Sequence, residues 1–176
     1  LESDWTLSQS ERFIFTSPVQ IIGNQGNRIS LSGAGQTGGI SFTQGAQTIF
    51  LKNIQVGPFF DQKSFFTQYN KPEFLYLNNV DIILNIPMLE LASSIVGCYN
   101  TVNIVNSGPY DLFVSSSLDL YPYATFALGS NTRLKIRQIR ASETSSTLIL
   151  DNAQLDYLTS VTYTHFFIDT GLKLEN

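Results

Sequence analysis

Charge is scarce in this chain. Only 14% of its 176 residues are Asp, Glu, Lys or Arg, against a usual share of ~25%. The 14 acidic and 10 basic side chains leave a formal net charge of -4 and a pI near 4.8. So few cations argue against a general nucleic-acid binder, which needs Lys and Arg to displace counterions from phosphates. Cysteine is almost absent too. Cys98 stands alone, so no internal disulfide staples the fold and the redox compartment is left open. Its place between Val96 and Tyr99 suits a small buried hydrophobe, with a reactive thiol as the other reading. His165 is the single histidine and cannot assemble a His-rich zinc site, so no metal and no cofactor are expected. It reads as structural, since a general base would need an orienting partner that the sequence does not identify. No apolar run reaches the ~20 residues of a membrane helix; residues 80–91 are interrupted by Asp81, Asn85, Pro87 and Glu90. The chain opens at Leu1 with neither an initiator Met nor a secretory signal, as a processed form or an excised segment would.

What is present is Ser, Thr, Asn and Gln in plenty, 13 Phe, 8 Tyr and a hydrophobic share of 43%. That is enough for the core of one domain, and the composition suits β-structure. One short pattern recurs: an alternating apolar pair, a polar corner, and a second pair. It stands at Phe50-Leu51-Lys52-Asn53-Ile54-Gln55-Val56, at Tyr76-Leu77-Asn78-Asn79-Val80-Asp81-Ile82 and at Ile149-Leu150-Asp151-Asn152-Ala153-Gln154-Leu155. Residues 14–21, with Pro18 as an extra corner residue, 98–104, 113–120, 134–136 and 167–174 align on the same pattern. Bends are expected at Ser17, Asn53, Asn79, Thr101, Ser116, Asn131, Asn152 and Thr170, because Asn and its relatives accept left-handed φ and bond their own backbone. The first apolar residue after each bend falls at 19, 54, 80, 102, 118, 134, 153 and 172. Repetition near twenty residues is the mark of a solenoid, in which each turn buries its face against its neighbours.

The spacing predicts an all-β protein, a right-handed parallel β-helix over 13–176 with a long aromatic side loop at 57–72 and a cap or docking segment at 1–12. The alternative is an antiparallel β-sandwich or jelly roll, in which Lys52-Asn53, Asn78-Asn79 and Asp151-Asn152 would be hairpin turns. Asn-Gly or Asp-Gly, the strong hairpin signal, does not occur. Gly33-x-Gly35-x-x-Gly38 fits the letter of a dinucleotide fingerprint, but Ile40-Ser41-Phe42-Thr43 alternates like a strand where a helix is required. Residues 86–92 are the one stretch with a helical look, Pro87 standing at a plausible first turn.

In its periodicity the chain resembles the parallel β-helix superfamily of pectin-lyase-like enzymes, phage tailspikes and surface adhesin passenger domains, over roughly residues 13–174. Gly38-Gly39-Ile40 and Phe50-Leu51-Lys52-Asn53 are also similar, once each, to motifs repeated in chlamydial polymorphic outer membrane proteins. The resemblance to pectin-lyase-like proteins would imply a lyase or hydrolase with carboxylates beside cations. Asp111, Asp119, Asp151, Asp156 and Asp169 are available, but the Asn-Thr-Asp, Asp-Asp and Gly-His-Gly signatures of polygalacturonases are missing, and only Arg133-Leu134-Lys135 is similar to their Arg-Ile-Lys.

Two surfaces stand out. Phe59, Phe60, Phe65, Phe66 and Tyr69 crowd the 57–72 loop, either as a flap folded on the body or as a partner-binding surface, since aromatics dominate interface cores. Alternation sends Arg133, Lys135 and Arg137 to one face and Leu134 and Ile136 to the core. That ladder fits an acidic ligand such as an acidic polysaccharide, or a solvated face that deters edge stacking. Tyr110, Tyr121 and Tyr123, set among Pro109 and Pro122, suit stacking on sugars or packing across strands. The resulting expectation is a non-catalytic structural or attachment module of a cell surface, extracellular or virion assembly. It would bind protein partners or glycans, or itself, a homotrimer fitting the tailspike likeness. A polysaccharide-binding or polysaccharide-cleaving protein is the alternative, and neither nucleic acid nor a membrane span is expected.

Overall fold

The computed structural model describes residues 1–7, 12–24, 26–31, 39–42, 48–59, 72–85, 88–92, 94–106, 108–141, 146–150, 153–157, 166–168 and 173–175. Among these, the regular structure is strand throughout, and every strand pairing is parallel. The chain is a β-solenoid of stacked coils. The hairpin alternative fails at its own turns: strand Thr48–Phe59 runs through Lys52-Asn53 and pairs along its length with Phe74–Leu84, which runs through Asn78-Asn79.

The walls follow from which segments stack. On the first, Val19–Ile22 lies on residues 48–52, then 74–78, 95–99, 117–120, 138–141 and Phe166–Ile168. On the second, Trp5–Leu7 lies on Arg28–Leu31, then 54–59, 80–84, 102–106, Thr125–Leu128, Thr147–Leu150 and Lys173–Glu175. The third carries Met88–Glu90, 111–114, 133–136 and Gln154–Tyr157. Arg12–Phe15 and Gly39–Phe42 pair separately as a two-stranded sheet at the same place in the chain order.

Alternation turns one set of side chains inward on each wall, and parallel register then aligns them into files. Ile49, Leu75, Val96, Leu118 and Ile139 form one file; Leu51, Leu77, Cys98, Leu120 and Ala141 form the next. Ile54, Val80, Val102, Phe126 and Leu148 line the second wall, and Leu89, Leu112 and Leu134 the third. All are buried, each contributing ~1.5–3 kcal/mol against the ordering entropy if aliphatic or Phe.

Several expectations need correction. The equivalence of Val102, Leu118 and Leu134 does not hold: Val102 stacks on Phe126, Leu118 on Val96 and Ile139, and Leu134 on Leu112 and Leu155. Two kinds of corner per turn produce the same apolar-polar-apolar pattern, and counting both as one compressed the repeat to 16 residues. The third bend falls at Asn100, with φ 51°, not at Thr101. Met88–Glu90, read as helical, is a strand pairing with residues 111–113. The strand that begins at Thr48 continues to Phe59, so the excursion starts at residue 60 and not at Gly57.

Candidate ligand-binding groove

The corner between the first and second walls is built from asparagine. Asn53, Asn79 and Asn100 have φ of 55°, 53° and 51°, a left-handed conformation that costs most L-residues ~1–2 kcal/mol and that Asn tolerates best after Gly. Their side chains then tie successive turns together. Asn79 Nδ2 donates to Asn53 Oδ1 at 3.1 Å, Asn100 Nδ2 donates to Asn78 Oδ1 at 2.9 Å, and the Thr101 backbone N–H reaches Asn79 Oδ1 at 3.5 Å. Gly23 precedes the same corner one turn earlier. A Cβ there would lie 2.7 Å from the Asn53 carbonyl oxygen, and the Gly23 N–H donates to Lys52 O at 2.9 Å.

Beyond the corner, alternation points Gln55, Asp81 and Asn103 outward in register, with Arg28 paired to Gln55. Arg28 Nε donates to Gln55 Oε1 at 2.6 Å and Asn103 Nδ2 to Asp81 Oδ1 at 2.8 Å. These residues, with Gly26, Asn53, Ile54, Asn79 and Thr101, line an open groove of about 590 Å³. Its size is within the ~300–1,000 Å³ of ordinary small-ligand sites. Its lining holds one guanidinium, one carboxylate, four carboxamides and a hydroxyl. The groove went unread in the sequence, although Gln55, Asp81 and Asn103 each sit two or three residues after an Asn bend.

A second feature lies on the outer side of the first wall. Phe50, Tyr76, Tyr99 and Tyr121 form an aromatic bank, with Tyr99 and Tyr121 stacked at 4.0 Å and the other neighbouring centroids 6.1–6.4 Å apart. Gly97 makes room for it, since a Cβ at 97 would sit 2.6 Å from Tyr76 Cδ1 and 3.1 Å from Tyr121 Cε2. Hydrogen bonding to Tyr99, then burial, push the Tyr121 phenol up to about 12, and burial, with the nearby Tyr121 and Asp119, raises Tyr76. Both stay protonated at neutral pH. The spacing of aromatics at 50, 76, 99 and 121 was the signal available for this bank, and only Tyr121 had been singled out.

The basic ladder lies on the third wall as alternation requires: Leu134 and Ile136 are buried, Arg133 and Arg137 exposed, Lys135 half-buried. Two of its cations already share one anion. Arg133 Nε and Lys135 Nζ lie 2.7 and 2.6 Å from the two carboxylate oxygens of Asp111. Burial would raise the Asp111 pKa, but hydrogen bonds from Lys135 and Arg133 outweigh it and hold the carboxyl below its ordinary value. Asp119 lies on the first wall, 4.0 Å from Arg140, with its Oδ1 buried and unpartnered. The strand of residues 111–120 thus sends its two carboxylates to different walls, each beside its own cation. Asp156 has its backbone paired with Lys135. Asp151, Asp169 and His165 lie outside the described residues, as do Phe60, Phe65, Phe66 and Tyr69, while Phe59 closes its strand. Cys98 is fully buried, and burial raises its thiol far above the ordinary range, which leaves no thiolate nucleophile. Among the described residues no three His, Cys, Asp or Glu side chains converge as a metal site, and no helix is long and apolar enough to cross a membrane.

Comparison with family models, curated proteins and solved structures finds no match for this chain.

Proposed function

We propose that this protein is a non-catalytic attachment module that holds a glycan along its side. The observation that carries the reading is the open polar groove at the asparagine corner. Its residues belong to successive turns locked in register, so the site is rigid before a ligand arrives and little ordering entropy opposes binding. A rigid stack also transmits load from a bound ligand to whatever carries the module, which suits a cell surface or a virus particle, the settings of the tailspikes and adhesin passengers that the repeat resembles. Self-association or a protein partner would supply the rest of such an assembly.

The test is to incubate the chain with an array of neutral and acidic glycans and to follow retention and product formation together. Retention without cleavage is expected. Release of shorter sugars or of unsaturated ends would overturn the reading in favour of a polysaccharide hydrolase or lyase.

A further inference from the structure

We infer that the groove takes a neutral oligosaccharide lying parallel to the solenoid axis, across the turns and not along a strand; this rests on the glycan reading above. Direction comes from register. Arg28, Gln55, Asp81 and Asn103 stand one above another, ~4.8 Å apart as neighbouring strands are, so the polar file spans roughly 14 Å. The next residue in that file is Ala127, followed by Ile149. Hydrogen-bonding capacity in the file therefore stops after Asn103, and a ligand satisfied by it must run along it.

Chemical class comes from the lining. The guanidinium of Arg28 and the carboxylate of Asp81 balance, each already bridged to a carboxamide. Just past Arg28, Asp4 Oδ1 accepts the Arg28 backbone N–H at 2.9 Å, so the surroundings hold no surplus of positive charge for a polyanion. After the bonds described, the carboxamides of Asn53, Gln55, Asn79 and Asn103 still offer donors, the carboxylate of Asp81 offers acceptors, and Thr101 offers both. Donors and acceptors alternating from turn to turn match hydroxyl groups, which are both at once. Phosphates and sulfates accept only, and ammonium groups donate only. A peptide would need apolar anchors, whereas the one large apolar residue in the lining, Ile54, turns its side chain into the core and is 3% exposed.

The experiment uses the intact chain. A glycan array first selects the neutral linkage that binds best, and calorimetry then titrates oligomers of that sugar of increasing length, alongside oligogalacturonates of matched length. Two altered proteins are compared with the parent. Gln55→Ala with Asn103→Ala removes two members of the file, while Thr101→Trp fills the groove from an exposed position and leaves the file intact; circular dichroism checks that both are folded. The expected result is neutral-sugar affinity that rises with length and then levels off, falling about tenfold or more in both altered proteins. Neutral-sugar binding that is undiminished in both would sink the groove assignment while leaving the attachment reading in place. Oligogalacturonate binding more tightly than the neutral series, with the loss in the same two proteins, would overturn the chemical class. No retention of any neutral or acidic glycan by the parent would end both readings.

Discussion

Two corners of the coil perform the same right-angle duty by different means. Between the first and second walls the chain turns on Asn53, Asn79 and Asn100, each in the left-handed region and laddered to its neighbour. Between the third and first walls it turns at Ser115-Ser116 and near Arg137, where no non-glycine residue has positive φ and the register slips between Val114 and Ser117. The first kind is specified by residue chemistry, the second by what lies on either side of it. An identical core continues through both: Leu77 and Val80 flank one, Ile136 and Ile139 the other, all buried.

The largest effect should be the one that does not distinguish the corners. Leu77→Ala and Ile136→Ala should each cost ~2–5 kcal/mol in urea unfolding, since each leaves a cavity in a file that the neighbours fill only in part. Losses differing by more than the measurement error would mean that the two corners do not brace one common core. Next, the corners themselves should diverge. Asn79→Ala should cost ~1–2 kcal/mol, because alanine pays for a left-handed φ and the bond to Asn53 is lost, with Asn79→Gly losing less because glycine adopts that φ freely. Arg137→Ala, at the other corner, should stay within ~0.5 kcal/mol. Equal losses at Asn79 and Arg137 would break the comparison.

A third prediction concerns acid. The Asp111 pKa is lowered in the folded protein, with Lys135 and Arg133 holding the carboxylate. A lowered folded value contributes stability that is complete above the unfolded carboxylate range near ~3.9 and fades as pH falls through the folded value. Asp111→Asn should therefore melt below the parent at neutral pH, and the gap should close on acidification toward about pH 2. A gap independent of pH would assign the loss to packing. The smallest effect is kinetic: Cys98 should resist thiol reagents in the folded protein and react only as fast as its turn opens, so early modification would contradict its burial.

The asparagine corner was legible because its chemistry is local. Asn53, Asn79 and Asn131 were read as bends and all have positive φ, at 55°, 53° and 64°. Serine carries no such demand, and neither Ser17 nor Ser116 takes the left-handed conformation expected of a bend. The coil was legible for the same reason, its aliphatic alternation being a property of short stretches. Which wall a stretch belongs to is not local. Residues 98–104 and 113–120 carry like patterns and yet stack on different partners, so the files could not be assigned from pattern alone. The groove and the aromatic bank were missed because they exist only once turns of unequal length are set in register. Gln55 and Asp81 are 26 residues apart and Asp81 and Asn103 22. The ladder at Arg133, Lys135 and Arg137 was visible in the sequence, but the single carboxylate that engages two of its members, Asp111, lies a turn away.

Unequal turns also bear on how such a chain can change. From Ile49 to Leu75 the path is 26 residues, from Leu75 to Val96 it is 21, and from Val96 to Leu118 it is 22, yet the three contacts are equivalent. Surplus length is carried outside the walls, where adding or deleting residues disturbs no neighbour. Descendants of one ancestral gene could thus drift apart in length while the stacked files inherit their pattern almost unedited.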